Sequence, residues 1–137
     1  MEVEKDLIKR EIQKLTLLLN SLIEKISGLN SNSSKSGIEE VNETLKSQFD
    51  LSLDRISEIE TSELINRIAE FHESHTEKIA ELIYEVVMQI ESTDFGQHCE
   101  KSKLAKKGII IIDFLNEQSN TFSMKRMNIK NALQQRL

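Results

Sequence analysis

His72 and His75 stand three residues apart among Glu70, Glu73 and Glu77. On one helical face, two imidazoles and a carboxylate form a ligand set for zinc or a similar ion. The HEXXH spacing of zinc proteases is absent. The simpler expectation is that the pair covers a helix C-terminus, where imidazolium is mildly favoured. The run His98-Cys99-Glu100 places a thiol beside a base. Adjacent residues on a helix point about 100° apart, so these side chains do not address one another. Cys99 is expected to act as a small, half-buried apolar group. Carboxylate pairs such as Glu39/Glu43 and Glu77/Glu81 fall on outward faces and read as solvated surface. No P-loop, dinucleotide-binding glycine pattern, nucleophile elbow or CxxC pair occurs. The sequence therefore predicts no enzyme, no catalytic residues, no cofactor and no metal site.

The basic residues are the other chemical candidate. Lys103, Lys106 and Lys107 share one helix face with Lys101 near it, and Arg126 and Lys130 share a face of the last helix. Clustered cations suit phosphate contacts. No base-stacking aromatics interleave with them. The chain is also divided in charge. Residues 1–100 hold 10 Lys/Arg against 21 Asp/Glu, and residues 101–137 hold 8 against 2, so a body of −11 carries a tail of +6. The preferred expectation is that the basic helices balance the acidic ones within or between chains. A nucleic-acid-associated protein using these lysines and arginines is the alternative.

The elements that would carry these residues are helical. A chain of 137 residues fits one domain. It contains no proline and four glycines, and its aromatic content of 4% is low for a sandwich or barrel. The longest apolar run, Gly108 to Leu115, is too short to span a bilayer. The acidic N-terminus is unlike a signal peptide, and one cysteine forms no internal disulfide. A cytoplasmic, non-membrane protein is expected.

Ile8, Ile12, Leu15, Leu19, Leu22 and Ile26 alternate four and three residues apart, which is a heptad seam. Leu18 and Ile23 widen it. Gly28 sits where a left-handed C′ residue would end the helix. A helix over 2–27 would be about 39 Å long. This exceeds what one compact domain needs, so the seam is expected to lie partly against a second chain, giving a homodimer or higher oligomer. Residues 28–37 read as a flexible inter-helix loop. Ser36 with Glu39 then opens a capping box and a helix striped by Ile38, Val41, Leu45 and Phe49. A short helical piece covers Leu53 to Ile59. Thr61 or Ser62 caps a helix with Leu64, Ile65, Ile68 and Phe71 inward. Ser74 with Glu77 caps one with Ile79, Leu82, Ile83, Val86, Val87 and Ile90 inward, and Asp94 with Gln97 starts another.

Ile109 to Ile112 favour a strand by propensity. With no second such run to pair with, they are read as a helix buried on several sides, with Leu104, Ile109, Ile112 and Leu115 on one face and Gly108 admitting a close neighbour. Thr121 or Ser123 starts the last helix, with Met124, Met127, Ile129 and Leu133 inward.

Leu82, Tyr84, Ala105, Gly108 and Ile112 place large and small apolar positions as a tetratricopeptide-type hairpin does, over about Ile79 to Ser119. The usual inter-helix turn and proline are absent. With Asn120-Thr121-Phe122-Ser123-Met124-Lys125-Arg126-Met127, the chain resembles small uncharacterised all-helical bacterial proteins that carry such a hairpin. That resemblance implies an all-helical fold and supplies no activity. The resulting expectation is an all-α antiparallel bundle of five or six helices with a long first helix and a tetratricopeptide-like hairpin. It would be a non-enzymatic interaction protein that self-associates and binds a protein partner.

Overall fold

The computed structural model describes the backbone of residues 2–28, 34–93, 98–119 and 123–137, and the side chains of 7–28, 36–90, 101–119 and 123–137. The described residues form seven helices: α1 (Glu2–Ser27), α2 (Ser34–Phe49), α3 (Leu53–Glu58), α4 (Thr61–Ala69), α5 (Glu73–Thr93), α6 (His98–Ser119) and α7 (Met124–Gln134). The all-α class is as expected, and the seven helices, one or two more than the bundle count expected, each correspond to a segment read as helical in the sequence. The proposed caps at Asp94, Gln97 and Thr121 lie outside the described residues.

The core is one cluster built from all seven helices. Val41, Leu45 and Phe49 of α2 are buried, as are Leu64 and Ile68 of α4, and Ile79, Leu82, Ile83, Val86 and Val87 of α5. α6 is the central helix, packing on α3, α4, α5 and α7. This explains its β-branched run. Ile111 and Ile112 are buried, and Ile109 and Ile110 are half-buried. A helix with neighbours on several sides needs apolar residues around most of its circumference. Gly108 lets side chains of α5 and α7 press close against the α6 backbone. A Cβ there would stand 2.7 Å from Leu133 Cδ1 and 3.1 Å from Ile83 Cγ2.

Side-chain bonds fix the directions of the helices. His75 Nε2 meets the Ile12 carbonyl at 2.9 Å, and Gln89 Nε2 donates to the Ile26 carbonyl at 2.8 Å, each across 63 residues. A constant offset means that α1 and α5 run parallel, a departure from the antiparallel order expected. In this register Glu73, the first residue of α5, lies level with Arg10. The first turns of α1 therefore extend beyond the start of α5 by roughly 12 Å. α6 and α7 are antiparallel, joined by Lys130 to Asp113 at 2.7 Å and by Arg126 to Ser119 at 2.9 Å.

Several ends differ from the sequence expectation. Gly28 has no positive φ, and its N–H simply bonds the Glu24 carbonyl at 3.2 Å. The left-handed residue is Asp50, at φ 53°, closing α2 with an N–H bond to the Lys46 carbonyl at 3.0 Å. Arg67 of α4 then donates to the Phe49 and Asp50 carbonyls at 3.1 and 2.7 Å. α2 begins before Ser36, which lies inside the helix, so the loop is shorter than residues 28–37. Ser52 caps α3 and Ser123 caps α7, accepting from the Arg55 and Arg126 amides. α4 begins at Thr61 with Glu60 at its N-cap and no side-chain cap bond. Met124 and Met127 are exposed rather than inward, because Arg126, Ile129 and Leu133 hold the buried face of α7.

Candidate interaction surface

The expected seam of α1 divides in two. Leu19, Leu22 and Ile26 are buried at 4% exposure or less, packed in the chain's own core with Ile23. They are not free for a second chain, because α5 and α2 cover that end of α1. Ile12 and Leu15 are half-buried. Ile8 is 58% exposed. It shares the azimuth of Leu15, Leu19 and Ile26 but lies beyond the N-terminus of α5, outside the cover that α5 gives the others.

A second stripe on α1 lies one residue earlier at each step: Leu7, Glu11, Lys14, Leu18 and, further on, Lys25. The first four are exposed, and the fifth pairs with Glu40 of α2. Leu17, beside this stripe, is 66% exposed. Among the described residues, four of the seven exposed large apolar side chains (Leu7, Ile8, Leu17 and Leu18) belong to α1, and the others are Met124, Met127 and Leu137. Scattered apolar side chains are ordinary on a protein surface. Four fall on half of one helix, Leu7 and Leu18 within about 20° of one another and Ile8 and Leu17 on opposite flanks.

The basic candidates are mostly engaged within the chain. Lys103 reaches Glu58 at 2.8 Å, Lys130 reaches Asp113 at 2.7 Å, and Lys125 reaches Glu81 at 2.9 Å. The Lys107 ammonium is bonded to the Ile59 carbonyl, while Lys106 is exposed. Arg126 is not a surface residue. It is 6% exposed, with Nε on Glu77 at 3.2 Å and Nη1 on Asn116 and Ser119 at 3.2 and 2.9 Å. Its stem fills the seam between α5, α6 and α7, and the planar donor set of guanidinium serves acceptors from two elements at once. Glu77 and Glu81, read as solvated, are the partners of Arg126 and Lys125. Glu81 Oε2 is buried without a hydrogen bond and has Lys78 Nζ at 3.5 Å. One turn on, burial and then the Glu81 charge hold the Glu85 carboxyl above its ordinary pKa.

The histidines serve the fold. His72 does not cover a C-terminus; it caps the N-terminus of α5, its Nδ1 accepting from the Ser74 amide at 3.2 Å and lying 2.7 Å from Ser74 Oγ. An imidazole nitrogen with a lone pair does there what a capping oxygen usually does. Because the Ser74 amide occupies that lone pair, the contact is not a base-activated nucleophile. His75 is 5% exposed, with the Phe49 ring edge-on at 5.8 Å, and its Nε2–H donates to Ile12. Thr16 donates to the same carbonyl at 2.9 Å and lies 3.4 Å from Ser74 Oγ. The side chains of His98, Cys99 and Glu100 lie outside the described residues. Among those described, no three His, Cys, Asp or Glu gather as a metal site, and no helix is long and apolar enough to cross a membrane.

Two hollows lie on the surface of the described residues. The larger, about 720 Å³, is a shallow open groove around Glu58, Ile59, Thr61, Ile65 and Lys107. The smaller, about 170 Å³, lies by Ile68, Phe71, Thr76 and Phe114. The first lacks walls, and the second falls short of the roughly 300–1,000 Å³ of ligand pockets. Sequence reasoning overlooked the outer stripe of α1, although its spacing is as regular as that of the inner one. Two charged members hide it from a search for apolar periodicity. No protein-family model, curated protein or solved structure matches the chain.

Proposed function

We propose that this chain is a non-enzymatic helical interaction protein that self-associates through the N-terminal half of α1. The observation that carries this reading is the exposure of Leu7 and Leu18 on one face of α1, flanked by exposed Ile8 and Leu17, on a helix whose first turns pass the end of their intramolecular neighbour. Burying a Leu or Ile stabilises by about 1.5–3 kcal/mol, so covering the face of Leu7 and Leu18 favours association. The engagement of Lys103, Lys125, Arg126 and Lys130 with carboxylates supports a protein-facing reading over nucleic acid, since these cations already have anionic partners. The outward Met124 and Met127 give α7 adaptable apolar contacts for a different protein partner. A lone cysteine suits a cytoplasmic setting.

Sedimentation equilibrium of the full chain at about 100 µM, where a weak dimer is populated, tests the reading. A mass above that of one chain is expected. A clean monomer at that concentration contradicts it.

A further inference from the structure

We infer that the partner of α1 is α1 of a second copy, running antiparallel, with the two outer stripes in register; this rests on the self-association proposed above. Leu7, Glu11, Lys14 and Leu18 are four, three and four residues apart. On a helix that spacing holds side chains within about 60° of one another. Leu7 is 53% and Leu18 37% exposed, and Glu11 and Lys14 are exposed between them. The order along the helix is apolar, acidic, basic, apolar. Reversing the helix direction exchanges Leu7 with Leu18 and Glu11 with Lys14.

An antiparallel copy centred between residues 12 and 13 therefore sets leucine on leucine at both ends and carboxylate on ammonium twice in the middle. A two-fold axis makes the contact self-complementary. A parallel copy in register opposes Glu11 to Glu11 and Lys14 to Lys14, which is repulsive. Ile8 and Leu15 lie on one side of the stripe and Leu17 on the other, about 70–90° from its middle, at the margins of the contact. The same stripe reaches Lys25, where Glu40 of α2 already supplies an opposite charge from within the chain. Only its N-terminal stretch is left open. From Leu7 to Leu18 is roughly 16 Å. A contact of three turns lies below the roughly 1,200 Å² of standard interfaces, so the dimer is weak, reversible and sensitive to salt.

The experiment is sedimentation equilibrium of the full chain at low salt, with circular dichroism confirming equal helicity. Wild type is expected to dimerise. Glu11→Lys sets lysine on lysine twice and should weaken association about tenfold or more. Glu11→Lys with Lys14→Glu restores opposite charges and should restore the dimer. Leu18→Asp should give a monomer. A dimer indifferent to Glu11→Lys and Leu18→Asp overturns this pairing while leaving self-association standing. A dimer weakened equally by the single and double charge variants also overturns it. A wild-type monomer overturns both readings.

Discussion

Leu18 and Leu19 are neighbours in sequence and belong to different surfaces. Leu19 is fully buried in the inner stripe of α1, with α5 and α2 over it. Leu18 is 37% exposed in the outer stripe. The two stripes share the same spacing, offset by a single residue, yet one is buried in the core and the other is exposed. Periodicity reports that a helix has a face, and neighbours decide whether that face is core or surface.

The largest contrast follows from that pair. Leu19→Asp buries a carboxylate in the core and should cost about 4 kcal/mol or more, enough to unfold the chain. Leu18→Asp should change monomer stability by only about 0.5 kcal/mol. Denaturant unfolding at low concentration reads both, and similar losses would erase the distinction between the stripes.

Gly108 sharpens the comparison at another packed position, between α5, α6 and α7. Gly108→Val forces two methyl groups against Leu133 and Ile83 and should cost about 3 kcal/mol. A thermally silent substitution would mean that α5, α6 and α7 are not in close contact there.

The cations of the tail divide as the leucines do. Arg126→Met removes the buried partner of Glu77, Asn116 and Ser119 and should cost about 2 kcal/mol. Lys103→Ala removes a half-exposed pair with Glu58 and should cost about 0.5 kcal/mol or less. Equal costs would show that burial does not separate the two roles.

The smallest effect concerns pH. The folded Glu85 carboxyl lies above its ordinary pKa through burial and the Glu81 charge. The native state therefore binds more proton than the unfolded state in the window between the two pKa values, and stability from this group falls as pH rises through that window. Glu85→Gln should raise the melting temperature near pH 7 and lose that advantage at about pH 4. An advantage equal at both values would assign the effect to packing rather than charge.

Much of the fold is legible from periodicity alone. The stripe Val41, Leu45 and Phe49 is buried as spaced, and Gly108 with the run Ile109 to Ile112 reads correctly as a crowded central helix. What escapes is set by partners distant in sequence. The pattern of α1 carries no sign of direction, so its parallel run beside α5 appears only through His75 and Gln89. Arg126 reads as surface because its acceptors come from α5 and α6. His72 is missed as a cap because capping is usually left to hydroxyl and carboxyl oxygens, and the left-handed turn falls at Asp50 instead of at a glycine. Of the interaction surface, the helix and its excess length are legible. The division between Leu18 and Leu19 is not, because it depends on where α2 and α5 lie.

Amide hydrogen exchange along α1, followed from low to high protein concentration, tests the central claim most directly. Residues 19–26 should be protected equally at all concentrations, because their packing is internal. Protection over residues 7–18 should rise with concentration as the outer stripe is covered. Protection there that stays constant from about 1 to 100 µM, the range over which a weak dimer forms, would contradict the account.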